Sequence, residues 1–243
     1  IESSVISRGG SDTITTGHGD KTVIGGYGGD SITTGSGNDD IFGDNGTILY
    51  SGGIATLFQT TDTTASTGGG DTISAGEGDS RIVGGTGSDR VTTGSGMDFI
   101  FGDNGILEFD AAGTPLLFTT TDAKLGGDDK ISSAGGDDVL FGGYGMDVLS
   151  GGADNDHLFG DGGKVVFTGG SVTSVETIDD YIGGVDSVDG GSGLDILMGG
   201  VGNDSFGGNL RDDLIIGKYG RISLLNHRVT SIITMAQGSS DLI

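Results

Sequence analysis

Aspartate recurs in this chain at a fixed interval. Asp12, Asp30 and Asp39 are followed by Asp71, Asp89 and Asp98, then by Asp129, Asp138, Asp147 and Asp156, then by Asp186, Asp195, Asp204 and Asp213. Within each group the spacing is nine residues or twice nine. Glycines precede nearly every one. A carboxylate supplies a hard anionic oxygen, and a glycine-rich turn exposes backbone carbonyls. Together they form the donor set that Ca²⁺ prefers. The competing role for each Asp is plain turn formation. An acidic surface would scatter its charges, so the regular interval favours metal ligation.

The interval belongs to a repeat. Residues 25–33 read GGYGGDSIT, 84–92 GGTGSDRVT, 142–150 GGYGMDVLS and 190–198 GGSGLDILM. The shared pattern is G-G-x-G-x-D-x-U-x, with U a large apolar residue. Residues 34–42, 93–101, 151–159 and 199–207 match with one substitution, and weaker copies occupy 7–15, 66–74, 124–132, 181–189 and 208–216. The chain thereby resembles the RTX family, the hemolysin-type calcium-binding nonapeptide repeats. That resemblance implies a parallel β-roll, a right-handed β-solenoid with two nonapeptides per coil. It implies several Ca²⁺ ions between stacked turns, held by the position-six Asp residues above and by turn carbonyls. The candidate glycines are Gly26, Gly28, Gly85, Gly87, Gly143, Gly145, Gly191, Gly193, Gly200 and Gly202.

Some positions depart from the pattern. Lys21 and Ser80 stand where Asp is expected, and Asp20 and Asp79 sit one residue too early. The turns there are expected to be weakened. Asp154 replaces a turn glycine. Asp44, Asp103 and Asp161 belong to a separate G-D-(N/G)-G sequence, where ligation and turn capping are equally compatible with the residues; Lys218 replaces the fourth.

The elements that position these residues follow from the period. Each nonapeptide ends in a very short strand whose U residue points inward and whose neighbours point outward. The inward set is Ile14, Val23, Ile32 and Ile41; Ile73, Ile82, Val91 and Ile100; Ile131, Leu140, Leu149 and Leu158; and Val188, Leu197, Phe206 and Ile215. One aliphatic ladder per side is a narrow core for a chain holding 54 glycines. Metal is therefore expected to be needed for folding.

A longer period overlies the short one. Gly43, Gly102, Gly160 and Gly217 open similar segments at intervals of 59, 58 and 57 residues. Each is followed by two β-prone runs around a turn signal, at 47–60, 106–119, 164–177 and 221–234. These read as β-hairpins, either standing out from the roll or lying on it. The long units run approximately 7–65, 66–123, 124–180 and 181–235 of one continuous array. Ile1–Ile6 and Asp241 read as parts of neighbouring units, so the array is expected to extend both ways.

Composition excludes much else. With 35 acidic and 11 basic residues the formal charge is −24, which repels nucleic acid and anionic membranes. Cysteine is absent, which removes thiolate chemistry. No apolar run is long enough to span a membrane. His18, His157 and His227 form no H-E-x-x-H sequence, and His157 is expected to point outward. Carboxylates that recur every nine residues are not a glycosidase pair. The chain is read as no enzyme.

Two functions fit. One is a calcium-folded structural or adhesive region of an exported bacterial surface protein, the resemblance implying type I secretion. The other is the secretion and folding module of an exported enzyme or toxin whose catalytic domain lies elsewhere. A third idea has the hairpins contact glycans or neighbouring copies, with Phe58, Phe109, Phe118 and Phe167 either as the contacts or packed against the roll.

Overall fold

The computed structural model describes residues 9–179 and 181–234. Ile1–Ile6 and Asp241 lie outside the described residues. The elements are all strands, arranged in three eight-stranded sheets.

Two sheets form the roll, and both are parallel. Each coil contributes one short strand to each sheet, three residues long except for Val148–Ala153 and Ser187–Ser192 in the first sheet. In the first sheet Thr13–Thr15, Ser31–Thr33, Thr72–Ser74, Arg90–Thr92 and Lys130–Ser132 stack in register. In the second, Thr22–Ile24, Asp40–Phe42, Arg81–Val83, Phe99–Phe101, Val139–Phe141, His157–Phe159, Ile196–Met198 and Leu214–Ile216 do the same. Central residues of both sheets meet between them. Ile32, Ile41, Ile73, Ile82, Ile100, Ile131, Leu140, Leu158 and Leu197 are among those sealed in this inner core, with Ile14 and Phe206 at its margins. Ile215 is an exception to the expected set. It pairs with Leu197 but is 44% exposed, because it sits in the last described coil and has a neighbour on one side only among the described residues.

The four hairpins lie on the roll. They comprise Gly46–Ser51 with Ile54–Thr60, Gly105–Phe109 with Pro115–Thr120, Gly163–Thr168 with Ser171–Thr177, and Gly220–Leu225 with Arg228–Thr234. The second strand of each pairs antiparallel with the first strand of the next, as in Phe58↔Leu107, Phe118↔Val165 and Val175↔Ile222. The third sheet is thus continuous along the roll and covers the outer face of the second.

Between them lies a second core. Phe42, Val83, Phe99, Phe101, Val139, Phe141, Phe159 and Met198 from the roll meet Ile48, Phe58, Leu107, Phe118, Val165 and Ile222 from the hairpins. Phe101, Phe141 and Phe159 stack as a column with centroids 4.5 and 4.7 Å apart. This corrects the expectation of a single narrow core. The outward neighbours of U face solvent on the first sheet but are buried on the second. Of the two roles open to Phe58, Phe109, Phe118 and Phe167, the structure shows packing: all four are enclosed in this layer. His157 does point away from the roll interior, but beneath the hairpins. Its Nε2 is enclosed without a hydrogen-bond partner, and burial lowers its pKa to about 4.

Candidate metal centre

The turns fall on two sides. Those entering the first sheet carry Asp12, Asp30, Asp71, Asp89, Asp129, Asp147, Asp186 and Asp204. Each of these Asp amides up to Asp186 donates to the Oδ1 of the next Asp in the stack, from Asp12 N to Asp30 Oδ1 (2.6 Å) through to Asp186 N to Asp204 Oδ1 (3.1 Å). The turns entering the second sheet carry Lys21, Asp39, Ser80, Asp98, Asp138, Asp156, Asp195 and Asp213 in the same role. Lys21 donates to Asp39, Ser80 to Asp98, Asp98 to Asp138, and so on to Asp213. The short repeat therefore places its Asp residues as two vertical columns. Lys21 and Ser80 occupy the column positions assigned to them. Asp20 and Asp79 face outward instead, accepting from Asn38 N (2.9 Å) and Met97 N (2.8 Å).

Fixing Oδ1 in the ladder leaves Oδ2 free. In Asp30, Asp71, Asp89, Asp129, Asp147, Asp186 and Asp204, Oδ2 is buried and has no hydrogen-bond partner; the same holds for Asp39, Asp98, Asp138, Asp156 and Asp195. Such an atom costs free energy unless something compensates it. On the first side it points at a glycine that opens the turn. A Cβ on Gly25 would lie 2.5 Å from Asp30 Oδ2. One on Gly43 would lie 2.6 Å from the Gly84 carbonyl, and one on Gly102 would lie 2.7 Å from the Gly142 carbonyl. These separations are far below a carbon contact, so no side chain fits at these positions. A carboxylate oxygen and a backbone carbonyl oxygen thus converge on each opening glycine, the pair of donors that a Ca²⁺ ion takes. Gly26, Gly28, Gly85, Gly87, Gly143, Gly145, Gly200 and Gly202 shape the same turns through φ between +104° and +137°. A Cβ makes that conformation unfavourable. On the second side Gly191 has φ +94°. Asp154 keeps its glycine's role, adopting φ +76°.

Electrostatics point the same way. Burial raises the carboxyl pKa of Asp71, Asp147 and Asp156 to about 8 and that of Asp98 and Asp186 to about 7. Neighbouring carboxylates add to the effect, as Asp186 does for Asp147. A column of stacked anions in a poorly solvated turn favours a proton or a metal ion over bare charge. Among the described residues no three His, Asp or Glu side chains converge as a metal cluster. The converging oxygens are carboxylates taken one at a time with backbone carbonyls, a donor set of the kind Ca²⁺ accepts.

Asp44, Asp103 and Asp161 do something different. Asp44 Oδ1 accepts from Gly69 N at 3.1 Å, while Oδ2 accepts from Thr86 N at 2.5 Å and Thr86 Oγ1 at 2.9 Å. Asp103 likewise accepts from Gly127 N and Tyr144 N, and Asp161 from Gly184 N and Val201 N. Each hairpin leaves the roll in the middle of a first-side turn, and this Asp ties the two halves of that turn to the next coil. Both oxygens are used in capping.

The family model of the RTX calcium-binding nonapeptide repeat matches residues 22–47, 66–100, 125–145, 141–171 and 183–206. These stretches cover more than half of the 243 residues, and the chain belongs to that family. Among curated proteins none matches the chain.

Proposed function

We propose that this chain is a calcium-folded structural segment of an extracellular or cell-surface protein, and that the position-six aspartates and turn glycines of its glycine-opened turns are the ligands. The observation that carries the reading is the column of buried, unpartnered Oδ2 atoms that converge with backbone carbonyls on the opening glycines. Bound Ca²⁺ supplies positive charge between anionic turns. The chain's own residues do the rest. The Oδ1 ladder fixes each carboxylate, and the left-handed glycines shape the turn. Folding and metal binding are then one equilibrium.

The continuous hairpin sheet supports a structural rather than a catalytic role. It ties successive long units together through strand pairing and a shared apolar layer. Cytosolic calcium is too scarce to fill sites tuned to exterior concentrations, which motivates the extracellular placement. No helix is long and apolar enough to cross a membrane among the described residues.

Circular dichroism with calorimetric titration tests the proposal. β-structure is expected to appear on adding Ca²⁺ to the chelated chain, with several ions bound. An equal β signal in excess chelator, with no heat of binding, would overturn it.

A further inference from the structure

The second side does not repeat the first. Its opening positions are Thr16, Thr34, Ala75, Thr93 and Ser133, and only then Gly151, Gly190 and Gly208. We propose that calcium occupies first-side turns along the whole roll but enters second-side turns only from Gly151 onward. The earlier second-side turns form a cation-free spine. This inference rests on the calcium reading above.

Three observations carry it. First, the five early turns carry a side chain or methyl at the opening position, where first-side carboxylate and carbonyl oxygens close directly on a glycine. The Thr93 and Ser133 hydroxyls lie beside the Asp98 and Asp138 carboxyls. Ser133 Oγ donates to the Gly151 carbonyl at 2.6 Å, so a hydroxyl engages the oxygen that a cation would use. Asp39, Asp98 and Asp138 also keep Oδ2 buried without a hydrogen-bond partner, but a residue with a Cβ rather than a glycine stands at the turn's first position.

Second, the backbone differs. The uninterrupted first-side turns hold both their second and fourth positions at positive φ, as in Gly85 and Gly87. Early second-side turns do so only at the fourth, in Gly19, Gly37, Gly78, Gly96 and Gly136. From Gly152 on, the second position turns positive again, in Gly152, Gly191 and Asn209. The turn-to-turn hydrogen bonds change accordingly. On the first side, second-position amides reach first-position carbonyls, as in Gly26 N to Gly43 O (2.9 Å). In the early second-side turns, fourth-position amides reach third-position carbonyls, as in Gly37 N to Glu77 O and Gly78 N to Ser95 O (both 2.8 Å). The third-position carbonyls are then engaged in the backbone ladder.

Third, one of these turns supplies its own cation. Lys21 Nζ donates to the His18 carbonyl at 2.7 Å and to the Gly19 carbonyl. An ammonium thus serves the turn oxygens. From Gly151 the close approach of carboxylate to glycine returns: a Cβ on Gly151, Gly190 or Gly208 would collide with Oδ2 of Asp156, Asp195 or Asp213.

Crystals of the full chain grown in Ca²⁺ and measured for anomalous scattering test this directly. Peaks are expected at the Gly84–Asp89 and Gly190–Asp195 turns and not at Thr34–Asp39 or Thr93–Asp98. A peak in either of the latter overturns the inference. Titration of variants gives a second readout. Asp89→Asn and Asp147→Asn should each lower the number of Ca²⁺ ions bound per chain, while Asp98→Asn and Asp138→Asn should leave it unchanged. Equal losses on both sides would refute the asymmetry. If the unmutated chain binds no Ca²⁺, the calcium reading itself fails, a result distinct from uniform occupancy.

Discussion

The two sheets of the roll are built from the same nonapeptide yet live in different surroundings. Strands of the first read TIT, SIT, TIS, RVT and KIS, with only the central residue sealed in Ser31–Thr33, Thr72–Ser74 and Arg90–Thr92. Strands of the second read DIF, FIF, VLF and ILM and are buried at all three positions. The first has one apolar face and water on the other. The second has two apolar faces because the hairpin sheet covers it. The turns follow the same division. Those entering the bare sheet keep the glycine–aspartate space wherever the opening residue is described. Those entering the covered sheet have it only from Gly151. Where an apolar layer holds the strands, the turns carry less of the stabilisation. Where no such layer exists, the proposed calcium sites are the turns' further source of stability.

The largest effect that can test this division is calcium removal. Hydrogen exchange during chelation should show the first sheet, around Ile73 and Val91, losing protection before the second sheet and the hairpins, around Phe141 and Val165. Simultaneous loss at every site would mean that the two sheets do not differ in their dependence on metal.

Acid should partly replace the metal. Asp71, Asp147 and Asp156 titrate near 8 in the metal-free fold because burial disfavours their charge. The unfolded value is 3.8. Between these values the folded chain binds more protons than the unfolded one, so metal-free stability falls as pH rises. Chelated protein should therefore be more structured at about pH 5 than at about pH 8. The calcium-loaded chain should show the opposite trend in affinity, since protons compete with the ion. Dichroism across pH, with and without chelator, checks both signs.

Truncating the apolar layer comes next. Phe141 is fully buried between Phe101 and Phe159. Phe141→Ala should cost about 3–5 kcal/mol in saturating Ca²⁺. Thr92→Ala, on the bare face of the first sheet, should change stability by less than about 0.5 kcal/mol. Denaturant unfolding of the pair measures the contrast directly. A smaller effect is expected at Arg81. Its guanidinium bonds Asp40 at 2.7 Å and lies 4.4 Å from the centre of the Phe58 ring, linking roll to hairpin. The pair is partly solvated, so Arg81→Ala should cost about 2 kcal/mol, below the 3–5 typical of a fully buried pair. An unchanged unfolding midpoint would remove this link from the account.

Much of this was legible in the residues. The nine-residue spacing placed Asp30, Asp89 and Asp147 in one column and Asp98, Asp138 and Asp156 in another, because two nonapeptides close one coil. Lys21 and Ser80 stood out for the same reason. The hairpins were legible from paired β-prone runs. What escaped was where the hairpins go, although a signal existed. The strands ending in Phe42, Phe101, Phe141 and Phe159 carry an aromatic at a position where the first sheet carries Thr or Ser. Apolar residues on both sides of U require a cover. The role of Asp44, Asp103 and Asp161 was not readable, since capping and ligation demand the same residue.

The sequence by itself determined the coil, its register and the identity of the turn carboxylates, because these follow from a short period acting locally on neighbouring residues. Only the tertiary structure decided that the hairpins join into a third sheet, that a second core lies beneath it, and that the turns of the two sides adopt different backbones. Those outcomes depend on strands almost fifty residues apart in sequence meeting side by side, as Phe58 and Leu107 do. Whether a turn offers a space or a side chain to the carboxylate beside it likewise depends on the coil stacked above.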